Sequence, residues 1–221
     1  MKYKEFSYIY PPRPLLFSKI DLENRLSNGE WVAQLKLDDT RTLLVLHPDG
    51  TIQFWNRHKE LQKAYSRPHP KLIESLKSLK LPAKRFYVFD ALLLHSKSTL
   101  VKDTVCLIDV LVYDNEYLIG STFEKREELL LKICGHPKRL EVHTGLELAL
   151  EVTPMLWVAK SYEKDFEILF KKWEKVFNDG QRIVEGLVFK RKSGQLGYHF
   201  SSEDANWLGK IRFPKEGIYR L

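Results

Sequence analysis

The chain has 221 residues, 43% of them apolar and 29% charged, which is enough apolar content for a real core in one large domain or two small ones. Lysine and arginine outnumber acids 36 to 29, and the resulting charge of +7 suits a polyanionic partner such as nucleic acid or nucleotide phosphates, or simply a basic surface. No apolar run approaches the roughly 18 residues of a membrane span, no basic-then-apolar start marks a signal peptide, and Cys106 and Cys134 lack metal-ligand spacing, so we expect free thiols in an intracellular, cytoplasmic setting with no membrane partner.

In chain order, residues 1–18 form an extended leader. Three prolines within Pro11-Pro12-Arg13-Pro14 favour open backbone, packed across the fold or offered to another domain. Residues 19–27 predict a short helix with Asp21 near its start and Gly29 past its end. A strand, a polar break and a second strand follow over 31–46. His47-Pro48-Asp49-Gly50 is a turn signal leading to a strand over 51–55, whose pairing brings Arg57 back towards the start of the preceding strand. Residues 70–80 predict a helix, with Pro70 in its first turn and Leu72, Ile73, Leu76 and Leu79 on one face.

The apolar runs 86–94 and 106–113 read as buried strands, interrupted by Asp90 and Asp109. A buried carboxylate must be paired, hydrogen-bonded or protonated. Ser121 with Glu124 resembles a capping box opening a helix to about Ile133. Residues 152–158 predict one strand. Residues 162–177 predict a helix from the spacing of Phe166, Leu169, Phe170, Trp173, Val176 and Phe177. Strands follow over 183–190 and 207–213, the second carrying Lys210 and Arg212 on one face.

The chemistry centres on Lys36-Leu37-Asp38-Asp39-Thr40-Arg41, where a lysine ends an apolar strand and two acids and an arginine follow. Partial burial disfavours an ammonium, and a neutral amine is a nucleophile. The alternative is that Lys36 pairs with Asp38 or Asp39 in the turn. The segment resembles the Lys-x-Asp-Gly-x-Arg nucleophile motif of the covalent nucleotidyltransferases, which comprise ATP-dependent DNA ligases, RNA ligases and mRNA capping enzymes. Companion segments occur in the family's order. They are Asn56-Arg57, Phe89-Asp90-Ala91, Ile108-Asp109-Val110-Leu111, Glu185-Gly186-Leu187-Val188-Phe189-Lys190 and Lys210-Ile211-Arg212.

The resemblance implies an α+β nucleotidyltransferase domain over residues 1–221, with two packed, mainly antiparallel sheets, helices outside and a cleft between, and no OB-fold. It implies an ATP-dependent polynucleotide ligase core, with DNA preferred over RNA; an RNA ligase, a capping-type guanylyltransferase and a non-catalytic nucleic-acid-binding module are the alternatives. Lys36 would be the nucleophile, with Lys210 and Arg212 on the α-phosphate. Gln34 and the backbone at Leu35 would read the purine edge. Arg41, Arg57, Ile108 and Lys190 would complete the nucleotide site, and Glu185 and Asp90 would hold Mg²⁺, or Mn²⁺, or the ribose hydroxyls. The implied partners are ATP, a nicked duplex, and a separate protein supplying the C-terminal clamp that larger relatives carry; the chain is expected to be monomeric. Three departures stand out: Asp39 in place of glycine, Asp90 in place of glutamate, and Ile108 in place of an aromatic residue.

Overall fold

Seventeen elements, thirteen strands and four helices, organise the described part of the chain, which in this computed structural model covers residues 4–24, 26, 28–95, 101–141, 145–198 and 203–214. They run β1 (Arg13–Leu16), α1 (Lys19–Asn24), β2 (Trp31–Leu37), β3 (Thr40–Leu46), β4 (Ile52–Trp55), α2 (Pro70–Lys77), β5 (Tyr87–Leu94), β6 (Thr104–Tyr113), β7 (Glu116–Tyr117), α3 (Phe123–Cys134), β8 (Lys138–Glu141), β9 (Glu147–Thr153), β10 (Leu156–Val158), β11 (Ser161–Tyr162), α4 (Phe166–Asn178), β12 (Val184–Arg191) and β13 (Asp204–Arg212). The five-stranded sheet has the order β1-β13-β12-β2-β11, and the eight-stranded sheet β4-β3-β5-β6-β10-β9-β8 with β7 on β6. Both are mainly antiparallel; β1 on β13 and β10 on β6 are the parallel pairs. This is the expected α+β architecture.

Only Asp38 and Asp39 separate β2 from β3, and the chain changes sheet there. That crossing sets Lys36 on one sheet and Arg41 on the other. Behind the five-stranded sheet, Leu35, Leu37, Leu187 and Phe189 pack with Phe166, Phe170, Trp173 and Phe177 of α4 in one buried cluster. The helical spacing of those aromatics therefore serves the core. A second cluster joins Leu44, Phe89, Leu107 and Val158 of the large sheet to Leu72 and Leu76 of α2 and Leu130 and Ile133 of α3.

Several expected boundaries shift. The leader is partly a strand: β1 lies parallel along β13, and Ile9 is buried against Leu43, Val45 and Val88. Helix α1 ends at Asn24, before the expected 27; residues 25 and 27 lie outside the described residues, as do 215–221. The strand expected over 152–158 is a hairpin, β9 turning through Pro154 and Met155 into β10. Proline cannot donate to a ladder, so it marks the turn. Helix α3 is capped by Thr122 rather than Ser121; the Thr122 hydroxyl accepts from the Lys125 backbone N–H at 3.4 Å. Burial of Phe123 beside Val32 and Trp207 sets that register, one residue on from the apparent capping box. Helix α4 starts at Phe166 because β11 takes Ser161 and Tyr162, and Asp165 at φ 58° breaks the backbone between them.

Candidate active site

A cavity of about 680 Å³ lies between the sheets, bounded also by the leader. Its floor is one face of the five-stranded sheet. On β2, alternation puts Leu35 and Leu37 into the core and turns Gln34 and Lys36 the other way. Register pairs Lys36 with Gly186 and Gln34 with Val188, and then Val188 with Lys210 and Gly186 with Arg212. Three strands thus align Lys36, Lys210 and Arg212 on one surface.

Glu185 joins them through a β-bulge. Val184 pairs with Leu37 and Gly186 with Lys36, which leaves Glu185 as the extra residue. Its carboxylate contacts the Lys36 ammonium directly through Oε1, and Arg212 Nε lies 3.8 Å from Oε2. The neighbouring glycine is sterically required. A Cβ on Gly186 would lie 2.0 Å from the Ile211 carbonyl oxygen, so only glycine lets β12 and β13 close together here. Burial, followed by the charges of Arg212 and Lys36, holds the Lys210 ammonium below the ordinary lysine range.

The wall is the large sheet. Arg41 grips Asp90 through both branches of its guanidinium, Nε to Oδ1 at 2.8 Å and Nη2 to Oδ2, and its Nη1 donates to the Pro12 carbonyl at 3.0 Å. Asp90 is only 3% exposed. Behind it, Asp109 is held by a fully buried Arg126 at 2.9 and 3.0 Å. A bulge in β6 leaves Ile108 unpaired with β5, and its carbonyl accepts from Lys190 Nζ at 2.6 Å. Burial lowers Lys190 below the usual lysine range, opposed by Asp109, Asp90 and Glu127.

Leader side chains Tyr8 and Tyr10 and prolines 11, 12 and 14 complete the rim. The Tyr8 hydroxyl donates to the Asn56 carbonyl at 2.8 Å, and burial and then Asp90 push it up to about 12. This ties the leader to the loop carrying Arg57, which lines the cavity from an exposed position.

Ten sequence-selected residues line the one cavity: Gln34, Leu35, Lys36, Arg41, Arg57, Asp90, Ile108, Lys190, Lys210 and Arg212. The side chain of Leu35 belongs to the core, so it offers the cavity its backbone. Glu185 joins the group through Lys36 and Arg212. Glu185 and Asp90 are each already engaged by cations, and among the described residues no three metal-ligating side chains cluster. The carboxylate paired with Lys36 is that of Glu185, while Asp39 binds backbone. Its oxygens accept from the backbone N–H of Thr40 and of His95, each at 2.8 Å. Sequence reasoning placed the leader across the fold without assigning it to the cavity rim, and it missed Arg126, Glu127 and Ser161. For Arg126 the signal was present, since Asp109 inside an apolar strand demanded a partner. Both cysteines are buried free thiols, and no helix among the described residues is long and apolar enough to cross a membrane.

No protein-family model and no curated protein matches the chain. Solved structures do match. The ligase domain of M. tuberculosis LigD superposes at TM-score 0.63 with 17% identity, covering 94% of this chain and 61% of that one. A mycobacterial DNA ligase D complexed with ATP and MES gives 0.64, 17%, 94% and 62%. The ATP-dependent DNA ligase of bacteriophage T7 in complex with ATP gives 0.51, 14%, 91% and 68%. The chain thus spans about three fifths of the two mycobacterial structures. At these identities the likeness establishes the fold, which is that of ATP-dependent DNA ligase adenylation domains.

Proposed function

We propose that this domain is the adenylation core of an ATP-dependent polynucleotide ligase. The observation that carries the reading is the row Lys36–Glu185–Arg212–Lys210 across three adjacent strands on the floor of a cleft in this fold. A lysine amine, its carboxylate partner and two further cations stand where a triphosphate can lie. Lys36 Nζ attacks the α-phosphorus of ATP; an N–P bond forms, the P–O bond to pyrophosphate breaks, and Glu185 Oε1 is the acceptor in contact with the departing amine proton. Lys210 and Arg212 stabilise the charge gathering on the phosphate oxygens. AMP then passes to a 5′-phosphate, and a 3′-hydroxyl displaces it to form the phosphodiester.

The wall acts on the rest of the nucleotide. Arg41, fixed by Asp90 and Pro12, presents a preset donor edge to the ribose, and Ile108, together with Val188 of the floor, offers apolar surface to the base. Glu185 with the substrate phosphates fits a water-rich magnesium site, and Asp90 does not, because Arg41 occupies both its oxygens. Magnesium, when bound, supplies further neutralisation of the phosphates. We assign nicked duplex DNA as substrate. The DNA ligases among the matched structures and the net charge of +7 support that choice, and phosphate-driven binding should weaken steeply with salt. The test is incubation with α-labelled ATP followed by denaturing electrophoresis. The wild type retains label, whereas Lys36→Ala and Lys36→Arg do not, since arginine stays protonated. An unlabelled wild type makes the domain a binding module.

A further inference from the structure

Gln34 is a buried amide, 4% exposed, two residues before Lys36 on β2 and beside the edge strand β11, and it lines the cleft. Its orientation is set from behind. Strand β11 pairs with β2 so that Ser161 stands opposite Gln34, and Gln34 Nε2 donates to Ser161 Oγ at 3.2 Å. The Ser161 hydroxyl has one proton, and it donates that proton to Glu127 Oε1 on α3. A hydroxyl whose proton is committed to a carboxylate can only accept from its other neighbour. The amide must therefore turn its N–H towards Ser161, which leaves its carbonyl oxygen, unpartnered by the described residues, for the cleft.

We propose that Glu127 and Ser161 are positioning residues that fix the Gln34 amide with its oxygen towards the ligand, so that the cleft selects a purine carrying an exocyclic amine over one carrying a carbonyl. The proposal rests on the nucleotidyltransferase reading and extends it to two residues outside the family-like motifs. An acceptor facing the six position meets the amine of adenine as a hydrogen bond and the carbonyl of guanine or hypoxanthine as two opposed lone pairs. Burial matters here. It raises the Glu127 carboxyl, and the Ser161 hydrogen bond and Lys190 oppose that rise and favour the carboxylate that the relay requires.

The experiment compares ATP with inosine triphosphate, whose base has a carbonyl at the six position and a protonated neighbouring nitrogen. Equilibrium binding of each is measured for the wild type, Ser161→Ala and Ser161→Thr. Taking the ATP-over-ITP ratio within each protein removes any general loss of affinity. We expect the ratio to fall about tenfold in Ser161→Ala, because the released amide can turn its N–H to the carbonyl, and to return in Ser161→Thr, which keeps a hydroxyl. If Ser161→Ala does not fold, Glu127→Ala takes its place with the same two outcomes. ATP binding with an unchanged ratio overturns this inference alone; binding of neither nucleotide by the wild type overturns the ligase reading and this inference together.

Discussion

The two faces of the cleft handle charge in opposite ways. On the wall, each guanidinium is matched to one carboxylate in forked geometry, Arg41 to Asp90 and Arg126 to Asp109. On the floor, Lys36 and Arg212 share the carboxylate of Glu185, and Lys210 stands beside them with Asp204 as its opposing charge. The wall is electrically finished and the floor is in deficit of negative charge, which is what a phosphate chain brings. In the proposed function the neutralised wall holds shape and presets the edge of Arg41, and the unneutralised floor takes the phosphates. Mutations should therefore separate: those in the wall cost stability, and those on the floor cost chemistry.

The largest expected effect is in the wall. Arg126→Ala leaves the buried Asp109 carboxylate without a counter-charge, and should cost about 3–5 kcal/mol in urea unfolding. Replacing both partners, Arg126→Met with Asp109→Leu, should recover most of that. A double variant as unstable as the single one would mean that the pair itself, rather than the orphaned charge, carries the stability.

On the floor, Lys210→Met should slow lysine adenylation by about 10²–10³-fold while moving unfolding by less than about 0.5 kcal/mol. Burial already penalises this ammonium in the folded protein, so its removal relieves a cost. Equal losses in stability and rate would erase the distinction between the faces.

The smallest effect concerns Asp39, one of the three departures from the family-like motifs. Asp39→Gly restores the family-like glycine but removes the acceptor for two backbone N–H groups, so it should cost about 1 kcal/mol of stability and leave the adenylation rate within about twofold. A rate that rises more than about tenfold would show the Asp39 charge acting on Lys36 after all.

What was legible follows from what periodicity encodes. Long runs such as 31–37 and 86–94 declare themselves as strands, and in the structure alternation along the first turns Lys36 and Gln34 to the face opposite Leu35 and Leu37. The seam of Lys210 and Arg212 was legible for the same reason. Bulges were not: nothing in the period reveals that Glu185 and Ile108 are the unpaired residues, yet those two positions aim a carboxylate at Lys36 and a carbonyl at Lys190. Arg126 was hidden among the charges of a helix that reads as solvated, because burial of one arginine depends on an aspartate 17 residues earlier. Short edge strands such as β8 and β11 carry polar residues and little pattern. Ser161 lies in one of them, so the support behind Gln34 becomes visible only when β11 is laid beside β2.

The central claim is that the amine on the floor is the nucleophile. The direct measurement is peptide mapping by mass spectrometry after incubation with ATP and denaturation. Lys36 should carry AMP in an acid-labile phosphoramidate, with no adduct on Lys190 or Lys210, both of which line the same cavity. An adduct on any other residue, or none on a wild type that demonstrably binds ATP, would contradict the account.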